Sequence, residues 1–382
     1  MRLRFLFLIC VMAAVPSAVK AQTQGQPQTP ATSLAGPQAV PSAPPPALVD
    51  EDILAAPLQF REFVRRVALA HDGAAPRSQA LARAFFSSPE SGGLGIVYDN
   101  EKTRTVAEVW KDRKANCISL TAMFVSACRV IGVKVNFAEA PSISRWVRYG
   151  SMVYNEKHMV AAIQVDITST LTADFGGIPS SYGTLRVRPI SESRFRALFH
   201  SNRAVEWMRR GDLDAAMVDA RASVSDDPES GIGWNIYGVV QKAMGDTGSA
   251  EGSFRKALMV DPENGAACGN LEDLYEGEGK ATEAAAYRNM GLKLRDKDPY
   301  FHAFLAKEAL GSGANDEALA QIRKAIRGQG MEPGFYLILA QAELNRGEHR
   351  AAAKAVEKAI HWSLPDQRKR MESKLDLIRS QT

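Results

Sequence analysis

A repeat of 34 residues governs the second half of this chain. Five glycines lie 34 positions apart, and an alanine follows each of them by five positions. The glycines are Gly211, Gly245, Gly279, Gly313 and Gly347, and the alanines are Ala216, Ala250, Ala284, Ala318 and Ala352. A fixed period of this length indicates small units that bury their apolar faces only by stacking on their neighbours. The second half is therefore expected to be an array of repeats.

Each period has the residue pattern of two packed helices. The unit around Gly245 is the fullest, with Trp234, Gly238, Gly245, Ala250, Phe254, Ala257 and Pro262 in register. Small residues permit close helix crossings, a glycine suits the turn between two helices, and a proline separates units. The pattern resembles the tetratricopeptide repeat, and five units over residues 197–364 are expected to form an all-α solenoid. Residues 365–382 are expected to be a capping helix, and the resemblance implies a groove that binds a protein or peptide partner.

The first residues of the chain indicate export. Arg2 and Arg4 precede an apolar stretch, residues 5–15, that is too short for a membrane span, and Ala21 follows at a suitable cleavage position. Residues 1–21 are therefore predicted to be a cleaved signal peptide, which places the protein in the periplasm or outside the cell. The Pro-, Ala- and Gln-rich residues 22–47 are predicted to be a disordered linker, because they cannot bury enough apolar surface to become ordered.

The charge of the chain favours neither a nucleic acid nor a membrane as partner. The formal net charge of +4 includes three basic residues of the predicted signal peptide, so the mature chain carries only +1. Nucleic-acid binding surfaces are strongly basic, and no later apolar stretch has the length of a membrane helix. We therefore expect no nucleic-acid partner and no stable membrane insertion.

The middle of the chain, residues 48–196, shows helical patterns first and strand patterns afterwards. Apolar spacing predicts helices over residues 58–69, 79–86, 106–111 and 117–131. Short apolar runs predict strands over residues 133–138, 158–165, 171–175 and 185–187. Helices followed by strands indicate an α+β domain with an antiparallel sheet on one side.

Cys117 is the residue of this domain that most strongly suggests chemistry. Cys117, Cys128 and Cys268 remain after removal of the signal peptide, and an odd number leaves at least one thiol outside any intramolecular disulfide. Cys128 lies among apolar residues in the middle of a predicted helix, as a core residue would. Cys117 instead opens that helix, where the helix dipole favours the thiolate and lowers the thiol pKa.

A histidine and an aspartate follow Cys117 at distances that suit cysteine catalysis. His158 comes 41 residues after Cys117, and Asp174 comes 16 residues after His158. Asp166 is nearer, but a continuous strand would hold it about 26 Å from His158. A turn at residues 166–168 would instead pair residues whose numbers sum to 332, which places His158 opposite Asp174 on one sheet face. Cys117, His158 and Asp174 are therefore the predicted catalytic triad.

The stretches around these residues resemble the transglutaminase-like superfamily. The matching stretches are Asn116-Cys117-Ile118-Ser119, the region of Trp146, Lys157-His158-Met159-Val160 and Ala173-Asp174-Phe175. One position departs from the pattern, because the family commonly has glycine where this chain has Ala115. The resemblance implies a papain-like fold in which Cys117 attacks an amide carbonyl, His158 transfers the proton and Asp174 orients the imidazole. It also implies that the backbone N–H of Cys117 helps to bind the oxyanion.

Two functions are consistent with these residues. The first is an exported cysteine enzyme that hydrolyses protein or peptide amides or transfers their acyl groups, with the repeats recruiting a partner or substrate. The second is a non-catalytic assembly module with a degenerate transglutaminase-like domain. We expect no metal ion or other cofactor in either case. Solvated or helix-end positions are expected for the histidines that lack partners at metal-ligand spacing: His71, His200, His302, His349 and His361.

Overall fold

The computed structural model describes most of the chain beyond its N-terminal region. The described residues are 15–16, 52–149, 152–166, 169–175, 187–363 and 365–380. The predicted signal peptide and linker lie outside them, except for a two-residue strand, β1 (Val15–Pro16). The chain divides into two compact units, each described by itself: Met1–Ile143 with Arg148–Arg288, and Ser144–Val147 with Asn289–Thr382.

Helices open the first unit, as the apolar spacing predicted. They are α1 (Leu58–Ala68), α2 (Ala74–Phe86), α3 (Val106–Asp112) and α4 (Cys117–Val130), with a short 3-10 turn at Pro89–Ser91. Thr105 and Glu108 form a reciprocal capping box that starts α3. The second helix begins five residues before its predicted start, because Gly73 turns the chain at φ 87° and Pro76 is tolerated in a first turn. Almost all of α4 is buried, so it is the central helix of this region.

The described strands form two sheets, and all strands of the larger sheet except β1 follow α4. The strands are β2 (Val97–Tyr98), β3 (Lys114–Ala115), β4 (Val135–Tyr149), β5 (Met152–Gln164), β6 (Thr170–Ala173) and β7 (Arg188–Ile190). The short strands β2 and β3 pair in parallel, while the larger sheet has the order β1-β5-β4-β7 with β6 also on β5. The pairs β1/β5, β5/β6 and β4/β7 are antiparallel. Both β4 and β5 are longer than predicted, and part of the predicted strand over residues 185–187 lies outside the described residues.

The pairing of β5 with β6 corrects the predicted register by two residues. Ala161 lies opposite Ala173, so paired residues have numbers that sum to 334 rather than 332. The turn is correspondingly wider, and Val165 N–H donates to the carbonyl of Ser169 across it. A shift of two residues preserves which side chains share a face, because side chains alternate with a period of two. Asp174 therefore keeps its predicted face but lies opposite Val160 and diagonal to His158.

Helix pairs make up the rest of the first unit. They are α5 (Glu192–Arg210) with α6 (Leu213–Asp226), α7 (Gly231–Ala243) with α8 (Thr247–Val260), and α9 (Gly265–Gly277) followed by α10 (Ala281–Asp296), which extends beyond the unit. The first of these helices also packs on the sheet, where the rings of Phe195 and Phe137 stack with centroids 3.8 Å apart. The first repeat is thus part of the same core as α4.

The second unit continues the same pattern. Its helices are α11 (Pro299–Gly311), α12 (Asn315–Gly328), α13 (Pro333–Asn345), α14 (His349–Trp362) and α15 (Pro365–Arg379). In α15, the buried residues Leu375 and Ile378 pack with Met371 against Ala352 and Val356 of α14. These contacts place α15 against the last helix pair.

The regular spacing of the five glycines reflects the turn inside each helix pair. All five periodic glycines have φ between 73° and 88°, a left-handed conformation that other residues rarely adopt. The five periodic alanines are buried. Within the second pair the helices cross so closely that a Cβ at Gly238 would lie 2.6 Å from the Phe254 ring. The tetratricopeptide-type, all-α repeat architecture is therefore confirmed. None of the described helices combines the length and apolarity that a membrane crossing requires.

Candidate thiol site

Cys117 is the first residue of α4, where the sequence placed it. Asn116 is the N-cap, with extended backbone angles, and its Oδ1 accepts a hydrogen bond from the Ser119 N–H at 3.0 Å. This cap satisfies one of the four N–H groups that a helix leaves unpaired at its start. The Cys117 side chain is fully buried, with 0 % exposure. The thiol thus lies at the positive end of a capped, buried helix.

His158 and Asp174 are in direct contact. His158 lies on β5 with 0 % exposure, and its Nε2 is hydrogen-bonded to Oδ1 of Asp174, which directly follows β6. The carboxylate only accepts hydrogen bonds, so the proton of a neutral His158 lies on Nε2. The other ring nitrogen, Nδ1, is buried and has no hydrogen-bond partner. Its lone pair is therefore available to take up a proton.

Helix α4 lies against the part of β5 that carries His158. The side chain of Thr121 is one turn after Cys117, and its Oγ1 lies 3.5 Å from the backbone oxygen of Met159. Met159 also belongs to the hydrophobic cluster that contains Cys117. The N-terminal half of α4 and the middle of β5 are thus neighbours, which brings the helix with the thiol beside the strand with the imidazole.

The two faces of β5 have different surroundings. Met159 and Ala161 belong to the cluster around α4, whereas Val160 and Ala162 belong to a smaller cluster with residues of β4. Side chains of a strand alternate between faces, so His158 shares the face of Val160 and Ala162. Asp174, diagonal to His158, lies within reach on that face, as diagonal neighbours do.

The nearer acid, Asp166, is in a different environment. It is exposed in the turn between β5 and β6, where its Oδ1 accepts a hydrogen bond from the Ser169 N–H at 2.7 Å. This is the local role of an aspartate that stabilises a turn. Of the two acids weighed from the sequence, the structure therefore joins Asp174, and not Asp166, to His158.

Ala115 does not require the backbone freedom of glycine. It lies in the short strand β3, opposite Tyr98, and its carbonyl accepts a hydrogen bond from the Asp99 N–H at 2.9 Å. Arg113 is the residue of this stretch with a positive φ, at 54°. The departure from the family pattern is thus accommodated in extended backbone. The side chain of Trp146 lies outside the described residues.

The remaining thiols of the described residues, Cys128 and Cys268, are also buried. Cys128 is in the middle of α4, and burial raises its pKa to about 12. Cys268 is buried in α9. Within the described parts of the chain, no three or more His, Cys, Asp or Glu side chains gather as metal ligands would.

Two of the histidines expected at solvated or helix-end positions are buried. His200, 1 % exposed, is hydrogen-bonded through Nδ1 to Asp219 at 2.7 Å, within the first helix pair. His302, 5 % exposed, contacts Gln321 through Nδ1 at 2.8 Å and the carbonyl of Asp296 through Nε2. The expectation was wrong for His200, which lies in the middle of α5, because its partner lies on another helix and local spacing does not reveal such a contact. His302 lies in the first turn of α11, which is one of the helix-end positions expected. His71 and His361 are exposed, as expected.

The comparisons with known proteins find similarity to solved structures, among them tetratricopeptide repeat proteins. No protein-family model and no curated protein matches the chain. Among solved structures, PilF of Pseudomonas aeruginosa is 17% identical, with 49% of this chain and 91% of that chain covered and a TM-score of 0.27. A tetratricopeptide repeat protein of Parabacteroides merdae is 20% identical, with 48% and 71% covered and a TM-score of 0.25. YrrB, described as a tetratricopeptide protein with an unusual peptide-binding site, is 18% identical, with 48% and 92% covered and a TM-score of 0.25.

Structural matches with TM-scores this low do not establish the fold of this chain. The repeat architecture is established by the helix pairs and by the positive φ of the five periodic glycines.

Proposed function

We propose that the protein is an exported, transglutaminase-like cysteine enzyme that acts on protein or peptide amides through Cys117, His158 and Asp174. One observation carries the proposal: His158 is hydrogen-bonded to Asp174 through Nε2 while its buried Nδ1 makes no hydrogen bond. A histidine with one nitrogen held by a carboxylate and the other vacant has the arrangement of a general base. The neighbouring helix begins with a cysteine.

Each residue has a defined role in the proposed reaction. Nδ1 of His158 takes the proton of the Cys117 thiol, and the thiolate attacks the carbonyl carbon of the amide. Asp174 holds the imidazole in the required tautomer and stabilises the imidazolium that forms. The backbone N–H of Cys117, in the first turn of α4, stabilises the oxyanion. The imidazolium then protonates the leaving amine, and the acyl group passes to water or to a second amine.

The repeats and the N-terminal region complete the proposal. Helix-pair repeats present extended surfaces to proteins and peptides, so the array recruits the substrate or a partner. A basic start, a short apolar stretch and small residues before position 22 support export to the periplasm or beyond. Buried cysteines in a chain exported to an oxidising compartment are protected from disulfide formation.

A second function, a non-catalytic assembly module, is favoured by two other observations. Cys117 and His158 are both fully buried, so a substrate reaches them only if the site opens. The strand face that His158 shares also belongs to a different cluster from the one around Cys117. In that case the His158–Asp174 pair would be a structural contact, and the domain would only bind.

Alkylation of Cys117 separates the two functions. We expect a small alkylating agent at neutral pH to label Cys117 about a hundredfold faster in the native protein than in His158→Ala, because a general base contributes rate factors of that order. Labelled sites are read by peptide mass spectrometry. Cys128 serves as the internal control, since its raised pKa, about 12, keeps it protonated and unreactive at this pH. Equal and slow labelling of Cys117 in both proteins would rule out the enzyme and leave the assembly module.

A further inference from the structure

A buried carboxylate of the first repeat binds the loop that precedes α4. Glu206 lies on α5 and is 8 % exposed. Its Oε1 and Oε2 accept the backbone N–H of Thr103 at 2.8 and 2.9 Å, and Oε1 also accepts the Thr103 hydroxyl at 2.6 Å. Thr103 is itself 1 % exposed. Two residues 103 positions apart are thus joined by charge-assisted hydrogen bonds out of water, where such bonds are strong.

Thr103 in turn contacts the cap of α4. Nδ2 of Asn116 donates to Oγ1 of Thr103 at 2.8 Å, while Oδ1 of Asn116 accepts the Ser119 N–H at 3.0 Å. The next residue of the loop adds a second connection, because the Arg104 N–H donates to Oγ of Ser119 at 2.7 Å. Residues 103 and 104 therefore hold the first turn of α4 at two points, and Cys117 lies in that turn.

Glu206 determines which group donates and which accepts in each of these connected hydrogen bonds. An ionised carboxylate only accepts, so the single hydroxyl proton of Thr103 is directed at Glu206. Oγ1 of Thr103 is then left to accept from Asn116, which fixes the amide with Nδ2 toward Thr103 and Oδ1 toward the helix. If the amide of Asn116 were reversed, its Oδ1 would face Oγ1 of Thr103, so that two acceptors would meet. Its Nδ2 would face the Ser119 N–H, so that two donors would meet. The carboxylate therefore determines the orientation in which Asn116 caps α4.

We propose that Glu206 is a positioning residue for Cys117, acting through Thr103 and Asn116. The proposal rests on the proposed function in taking Cys117 as the reactive thiol. Cys117 directly follows the cap, so the order of the first turn sets how well the aligned N–H groups stabilise its thiolate. Glu206 touches neither the thiol nor a substrate. A residue of the first repeat thereby influences the reactivity of the thiol.

Two substitutions of Thr103 test the connection without changing any charge. Thr103→Val keeps the side-chain shape and the backbone N–H contacts to Glu206 but removes Oγ1, whereas Thr103→Ser keeps the hydroxyl. We expect the pH midpoint of Cys117 thiolate formation to rise in Thr103→Val, with about threefold less thiolate at neutral pH, because the helix-terminus contribution weakens. Thr103→Ser should match the wild type. The midpoint is read from ultraviolet thiolate absorbance relative to Cys117→Ala, which requires no access for a reagent.

Substitutions of Glu206 separate positioning from charge. In Glu206→Ala the midpoint should also rise, and the Glu206→Ala/Thr103→Val double variant should show no further rise, because both break one chain of hydrogen bonds. Loss of a nearby negative charge alone would favour the thiolate and lower the midpoint. Asp219→Asn alters another buried carboxyl of the first repeat and should leave the midpoint unchanged.

Specific outcomes would overturn the positioning role. Equal midpoints in Thr103→Val and Thr103→Ser, or a lower midpoint in Glu206→Ala, would each contradict it. Neither comparison involves His158. If Cys117 reacts alike in the native protein and in His158→Ala, the proposed function fails, and the Thr103 pair of variants still decides whether Glu206 orders the start of α4.

Discussion

Two buried histidines of the described residues, His200 and His158, are each hydrogen-bonded to an aspartate side chain, and they differ at the second ring nitrogen. In the first helix pair, Nδ1 of His200 is bonded to Asp219 and Nε2 lies 3.7 Å from Oδ2 of Asp226. In the sheet, Nε2 of His158 is bonded to Asp174 and Nδ1 has no hydrogen-bond partner. One imidazole thus has acids near both of its nitrogens, and the other has an acid at only one.

The aspartates differ in the same sense. The second oxygen of Asp219 accepts from the indole N–H of Trp207 at 2.9 Å and lies 3.3 Å from Nε of Arg203. Asp174 is more open, with 11% of its side chain exposed. A fully satisfied buried network stabilises a fold, while a pair with a vacant nitrogen can transfer a proton. The comparison favours a structural role for His200 and supports the choice of His158 as the proposed general base.

The largest expected effect is on stability at the His200 pair. Asp219→Ala would leave an imidazole, an indole N–H and a guanidinium without their buried acceptor, which should lower the free energy of unfolding by about 3 kcal/mol. Asp174→Ala removes a more exposed carboxylate and should cost about 1 kcal/mol. Urea unfolding of both variants measures the difference. Equal losses would remove the structural distinction between the two pairs.

A smaller effect is expected on the alkylation rate of Cys117 when one of the two aspartates, Asp174 or Asp166, is replaced. Asp174→Asn should slow alkylation of Cys117 about tenfold, because the amide no longer stabilises the imidazolium that forms as the thiol loses its proton. Asp166→Asn is the matched control, since its amide oxygen can still accept the turn hydrogen bond from Ser169. The measurement is the labelling rate of Cys117 in each variant. Similar slowing by both substitutions would contradict the assignment of Asp174 to His158.

The features of the fold that neighbouring residues determine could be predicted from the sequence. The periodic glycines predicted the turns of the helix pairs, because a left-handed turn is a property of one residue and its neighbours. The start of α4 at Cys117 was also predicted, because the apolar helical pattern that follows it is local. The contact of His158 with Asp174 was predicted on the right face with a register wrong by two, because the width of a turn is not fixed by the strands that it joins.

The contacts that were missed join distant parts of the chain. The partner of Thr103 is Glu206, 103 residues away, and no period or motif connects them. His200 and Asp219 lie on two helices of one pair, 19 residues apart, and their contact follows from how those helices pack. Such polar contacts are selected by tertiary packing, which single-sequence patterns describe only through apolar positions.

The most direct test of the account is the thiolate of Cys117 at neutral pH. Ultraviolet absorbance of the native protein, corrected with Cys117→Ala, should show a thiolate that disappears in His158→Ala and persists in His200→Ala, because Nδ1 of His158 makes no hydrogen bond whereas His200 has acids near both of its nitrogens. No thiolate in the native protein, or a thiolate that survives in His158→Ala, would contradict the proposed roles of Cys117 and His158.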